Sequence, residues 1–424
     1  MRRLLTITVI LAAAATACSA DQVNRSLAPN GQGSASVQAV LDWSAISLRI
    51  TAAPPLDPPR ESRTLAMVHL AIYDAVEAIT HDYRPYLAEA NAPSGASAPA
   101  AVASAAHDVL VALYSQQRAG LDASYTSSLA AIGDGAGKQE GIVVGRRAAA
   151  AVLAARSHDH ASDLIRDNGS TVVGKWHPTP PAFKPALDPG WGRVTPFALA
   201  RGAQFRPGLP PALISAAYAR DFNEIKLIGS ASSTARTPAQ TEVARFWTVT
   251  APQEWNQLAR GLVLSKHLAL SQSARLFAVL NVAEADAAIA SWDTKFTYKQ
   301  WRPVTGIRDA LADGNPATAP DPAWTPLIPT PRFPDYVCGH STLGGAAAAV
   351  LRSFFGDQPG TLTMTSSAVP GAVHRFSSFS AIEDEVTNAR VWGGIHWRTS
   401  CVVGRTVGEN VGRWVTSHIG APAK

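Results

Sequence analysis

Ala-rich segments with apolar residues three and four apart recur along most of this chain, and no alternating apolar–polar series competes with them. Such a face is buried most readily against other helices, so the pattern points to an all-α fold. Helices are expected at about 37–51, 60–80, 97–116, 118–132, 137–156, 211–229, 236–248, 253–269, 271–300, 340–355, 378–392 and 397–417. Two proline-rich stretches interrupt them. Residues 157–210 carry Pro178, Pro180, Pro181, Pro185, Pro189, Pro207 and Pro210, and read as a long ordered loop or crossover between bundles. A second such loop, 313–338, delivers the chain to Cys338. Long loops on a helical scaffold often shape the mouth of a site.

The first residues read as an export signal. Arg2 and Arg3 precede an apolar stretch, Leu4 to Ala17, that is too short to span a bilayer comfortably. Ala15-Thr16-Ala17-Cys18 resembles a lipoprotein box, which makes Cys18 a candidate lipid anchor, with ordinary cleavage at an Ala-x-Ala site as the other reading. The organisation expected is a leader over 1–18, a flexible polar tether over 19–36, an N-terminal bundle with its crossover over 37–210, and a C-terminal bundle over 211–424. Without Arg2 and Arg3, Lys plus Arg number 35 against 32 Asp plus Glu, a net +3. That balance and the lack of a basic run argue against a nucleic-acid partner.

Three short clusters in the last third carry the chemistry. They are Lys295 with Arg302-Pro303, Cys338-Gly339-His340-Ser341, and Arg390 with His396. Lys295 and Arg302 lie seven apart, near two helical turns, and Pro303 disfavours helix at Arg302. Asp286 and Asp293 repeat that spacing and are candidates to orient the two cations. Gly339 at a helix start lets backbone N–H groups approach an anion, and His340 beside it can move protons. Gly393-Gly394 permits a tight bend that returns His396 toward Arg390. Each cluster alone has a bland reading, as a solvated helix face, a capping histidine or a helix C-cap. Together they supply three cations, two imidazoles and a glycine-led helix, which suits a tetrahedral oxyanion.

The order and internal spacings resemble the type-2 phosphatidic acid phosphatase and vanadium haloperoxidase superfamily, whose pattern is Lys-x6-Arg-Pro, then Pro-Ser-Gly-His, then Ser-Arg-x5-His-x3-Asp. Leu41-Asp42-Trp43 and Met67 to Val76 are similar to the N-terminal helices of its bacterial soluble haloperoxidase-like branch. The resemblance implies two packed helical bundles with the site in the C-terminal one. It implies that Lys295, Arg302, Arg390 and the Gly339 amide hold the oxyanion and that His340 is the acid–base residue. It makes His396 the vanadate ligand, or the nucleophile of a phosphatase. The cofactor expected is vanadate, with phosphate competing or replacing it. Departures are Val337 and Cys338 for Pro-Ser, Ala389 for Ser, and Ser400 for the Asp that would orient His396.

Two enzymatic readings follow. One is oxidation of halide by hydrogen peroxide; the other is hydrolysis of a phosphoester through a phosphohistidine at His396. A non-catalytic oxyanion-binding lipoprotein is the third. The expected partners are thus small molecules, and a membrane only through a lipid on Cys18. Cys338 and Cys401 flank the site and could form a disulfide that staples the second and third clusters, or remain free thiols. His158-Asp159-His160 could hold a metal ion but reads better as a solvated turn. His69 and His107 read as packed or capping residues, Trp301 and Trp397 as candidate pocket walls, and His374 as a distant candidate for the rim.

Overall fold

The computed structural model describes residues 31–53, 57–87 and 91–423. The leader, Cys18 and residues 19–30 of the expected tether lie outside these. The described N-terminal half holds α1 (Gly31–Ala52), α2 (Pro58–Thr80), α3 (Ala98–Leu113), α4 (Arg118–Ala130) and α5 (Ala136–Ala155). The C-terminal half holds α6 (Ala216–Ile228), α7 (Pro238–Phe246), α8 (Ala251–Ser265), α9 (Leu270–Tyr298), α10 (Pro303–Arg308), α11 (Gly339–Phe355), α12 (Phe379–Trp392) and α13 (Arg398–His418). Helix α1 starts at Gly31, inside the stretch expected as tether, although Gly31, Gly33, Ser34 and Ser36 are weak helix formers.

Helix α9 is the axis of the molecule. Its 29 residues span about 43 Å. It is buried on all sides, which is why its sequence shows Ala in every direction instead of one apolar stripe. It packs against α2 of the first half and against α11 and α13 of the second. One continuous apolar core therefore runs through both halves, from Val40 and Trp43 to Val411 and Val415. Helix α11 lies along α13 at very close range. A Cβ on Gly345 would sit 2.5 Å from Arg405 O, and Gly408 faces Thr342 O more tightly still. Only glycine permits that approach.

Pro303 keeps Arg302 out of the helix, as its position implied, and one further feature departs from the sequence reading, a hairpin. Helix α9 ends at Tyr298, where Lys299 turns left-handed (φ 51°), so Arg302 is not on it. Arg302 is instead the extended residue preceding the short α10, which begins at Pro303. A two-stranded antiparallel hairpin, β1 (Leu362–Thr365) with β2 (Val373–Phe376), lies between α11 and α12. At four residues per strand it is too brief to register as an alternating series.

Candidate active site

The second and third clusters meet at one cavity of about 440 Å³, and Arg302 of the first lies against His396 of its wall. Gly339, His340, Arg390 and His396 line it, with Thr248, Thr250, Trp292 and Phe333. Both proline-rich loops reach its wall: Leu187 comes from the first, and Ile328 to Phe333 from the second. Gly339 opens α11, so the free N–H groups of that helix start at the cavity. Gly393 ends α12 and Gly394 is left-handed (φ 79°), which turns His396 back toward Arg390 before α13 begins. The helix-cap reading of that cluster and the functional one are the same structure.

The cations are not equivalent. Lys295 is fully buried and does not line the cavity. Its ammonium donates to the carbonyls of Pro334 at 3.0 Å, Asp335 at 2.9 Å and Val337. Burial, then Arg302, pushes its pKa down to about 7. Arg302 donates through Nε to Phe333 O at 2.7 Å and through Nη1 to Ile395 O at 2.8 Å, while Nη2 is buried without a partner. Arg390 donates to Trp247 O, and its Nε is likewise unpartnered. Both cations of the first cluster lie over Phe333, Lys295 Nζ at 4.9 Å and Arg302 Cζ at 4.8 Å from its centroid. That ring replaces part of the lost hydration.

Arg302 Nη1 lies close to both ring nitrogens of His396, 3.0 Å from Nε2 and 3.4 Å from Nδ1. Nδ1 approaches Asp335 Oδ1 to 2.9 Å. The approach is off the axis of a linear hydrogen bond, and both Asp335 oxygens otherwise lack a donor. Nothing along the chain marks this carboxylate, because Asp335 lies in an irregular loop far from His396 in sequence. His340 faces the cavity, and its Nε2 donates to Val249 O at 3.0 Å, which leaves Nδ1 as the acceptor. Desolvation by the surrounding protein, then Arg390, holds its pKa down at about 3.

Several expected residues are elsewhere. Asp286 accepts the backbone N–H groups of Phe197, Ala198 and Leu199, and Asp293 pairs with Arg206, so neither orients Lys295 or Arg302. Both point out of α9 toward the first proline-rich loop, which needs its amides and cation satisfied. Trp301 and Trp397 pack with Tyr218 and Phe222 in a separate core behind the site; Trp292 takes the wall position. His374 is stacked on Phe246 and bonded to Glu385, away from the rim. Asp159 is buried between Arg63 and Arg156 instead of solvated, and the described residues contain no cluster suited to a metal ion. His69 is packed on Phe277 and His107 on Tyr125.

Cys338 and Cys401 are both buried free thiols, in hydrogen-bond contact with each other. A disulfide is not what joins clusters two and three here. Cys338 N donates to Ser400 O at 3.0 Å, and that backbone bond does so. Burial pushes the Cys338 thiol up, but hydrogen bonds from Cys401 and His396 and the charge of Arg390 outweigh it and hold it well below the usual thiol range. The residue that replaces the family's serine thus sits among the site's cations.

Residues 37–172 match the vanadium chloroperoxidase N-terminal domain, and residues 275–423 match the second helical-bundle domain of the same family. The vanadium chloroperoxidase of Curvularia inaequalis is 28% identical over 410 residues, covering 76% of this chain. The match spans 66% of that relative's length, just under two thirds. A bacterial vanadium-dependent iodoperoxidase superposes with a TM-score of 0.79 at 24% identity, over 93% of this chain and 97% of its own. An apo bacterial vanadium-dependent chloroperoxidase gives 0.70 at 18%, over 86% and 94%. At those identities the superpositions speak for the fold.

Proposed function

Since this chain belongs to the vanadium haloperoxidase-like family, we propose that its cavity holds vanadate and that the protein oxidises halide with hydrogen peroxide. The observation that carries the proposal is the unpartnered Nε of Arg390 at the cavity that His396 lines, with a second unpartnered nitrogen, Nη2, on the buried Arg302, whose Nη1 lies 3.0 Å from His396. A buried cation with an unspent N–H costs free energy until an acceptor arrives, and a multiply charged oxyanion satisfies several at once. Gly339 fits the same guest. A Cβ there would meet only Trp292, at 3.6 Å, so the fold does not require glycine, whereas an anion against the helix start does.

In this reading His396 Nε2 is the ligand atom, and Arg302, Arg390 and the Gly339 N–H hold the equatorial oxygens. Lys295, its N–H groups spent on carbonyls, contributes its field from behind. Bound vanadate supplies Lewis-acid activation of peroxide at constant oxidation state. His340 enters as a neutral imidazole, its Nε2–H fixed by Val249 O. Its Nδ1 takes the proton that peroxide gives up, and the negative charge of the bound anion raises its affinity for that proton. Trp292, Phe333 and Leu343 keep the reacting face apolar. The proposal includes export by the leader at residues 1–18, which N-terminal sequencing of the mature protein tests.

A phosphatase reading shares the pocket, and the carboxylate beside His396 Nδ1 favours it, since an imidazole that attacks phosphorus needs that support. The test is purified protein with and without orthovanadate. Halogenation of a phenol dye that requires both vanadate and peroxide supports the proposal. Release of nitrophenol from its phosphate, blocked by vanadate, replaces it with the phosphatase. Failure of both overturns the enzymatic reading.

A further inference from the structure

The chain has Ser400 where a carboxylate would orient the second histidine, yet a carboxylate does approach His396, that of Asp335. We propose that Asp335, delivered from the opposite side by the second proline-rich loop, is the positioning residue for His396. It fixes the ring proton on Nδ1 and leaves the Nε2 lone pair for the oxyanion. The inference rests on the oxyanion reading of the cavity.

Four observations carry it. Asp335 Oδ1 lies 2.9 Å from His396 Nδ1, and both side chains are almost wholly excluded from solvent. Arg302 Nη1 is 3.8 Å from the same oxygen, so the carboxylate is nearer the imidazole than the guanidinium. Neither carboxylate oxygen has another donor, which leaves its charge to these two groups. The backbone of Asp335 is pinned at both ends. Its N–H donates to Gln300 O at 2.9 Å, and its carbonyl accepts from Lys295 Nζ at 2.9 Å and from Ser400 Oγ at 3.1 Å. Ser400, which cannot itself orient His396, thus holds the loop that brings the substitute carboxylate. A carboxylate behind a ligating histidine also raises the basicity of its free nitrogen.

The test uses the full-length mature protein, Asp335→Ala and the volume-conserving Asp335→Asn, with inorganic phosphate as the probe. Nitrogen-15 NMR of the labelled imidazole reads the tautomer in the anion-free protein, and calorimetry reads phosphate affinity. The expected result is a wild-type His396 protonated at Nδ1. In the variants the ring becomes a mixture of tautomers, and phosphate binding weakens by about tenfold to a hundredfold. Should Asp335→Ala fail to fold, Asp335→Asn decides. A wild-type tautomer in the folded variants, with phosphate affinity within about twofold, would overturn the assignment, because a merely structural aspartate does not set the ring proton. Wild-type protein that binds no phosphate or vanadate instead sinks the oxyanion reading, and the tautomer measurement still judges Asp335.

Discussion

The closest helix crossing sets the spacing of the site, and one methyl group tests it. Gly345→Ala places a Cβ 2.5 Å from Arg405 O and 3.2 Å from Arg405 Cα, both backbone atoms that no rotamer change can move. Ordinary contact begins near 3.4 Å, so α11 and α13 must separate by about 0.9 Å. Alanine also favours helix over glycine by about 1 kcal/mol, which works against the clash. Gly261→Ala in α8 provides the reference. It carries the same propensity gain and meets nothing within 4 Å. The difference between the two variants isolates the overpacking, about 1–3 kcal/mol, or roughly a 5- to 150-fold change in the folding equilibrium. Urea unfolding of both variants measures it. Gly261→Ala should match or exceed the wild type, and Gly345→Ala should fall below it. Phosphate affinity should fall with it, because the first turn of α11 carries Gly339 and His340 while α13 starts two residues after His396. Equal stability of the two variants, with unchanged phosphate binding, would refute the claim that glycine holds this crossing.

Gly339→Ala should leave unfolding unchanged, since only Trp292 at 3.6 Å meets the added carbon, and should weaken phosphate by about tenfold or more in calorimetry. Cys338→Ser restores a stronger donor and should tighten phosphate by about 1 kcal/mol on the same instrument. Peptide mapping after denaturing alkylation without reductant should find both Cys338 and Cys401 alkylated. Lys295 has a pKa of about 7 when folded, below its unfolded value of about 10.4, so the unfolded chain binds the extra proton between those limits and Lys295 makes stability rise with pH there. Relative to Lys295→Met, the wild type should therefore gain about 2 kcal/mol in urea unfolding from pH 7.5 to about 9.5. A flat difference would show that the three carbonyls keep the ammonium charged throughout.

The helices were legible because their cause is local. Ala-rich runs with three-and-four spacing form helices, and all but one of the described α-helices, the six-residue α10, were expected, though α1 starts six residues before and α6 five residues after its expected bound. The residues proposed to hold the oxyanion were singled out through spacing and resemblance. Lys295, Arg302, Gly339, His340, Arg390 and His396 do converge on one region, although neither Lys295 nor Arg302 lines the cavity. Partnership was not legible. Nothing along the chain shows that Asp286 and Asp293 serve a distant loop, that Trp292 and not Trp301 faces the cavity, or that Asp335 replaces the carboxylate missing at Ser400. Sequence by itself determined which segments become helices and which side chains could cage an anion, because propensity and charge belong to residues. Only the tertiary structure decided which donors are spent on carbonyls and which remain for a guest, because hydrogen-bond satisfaction depends on neighbours brought from far along the chain.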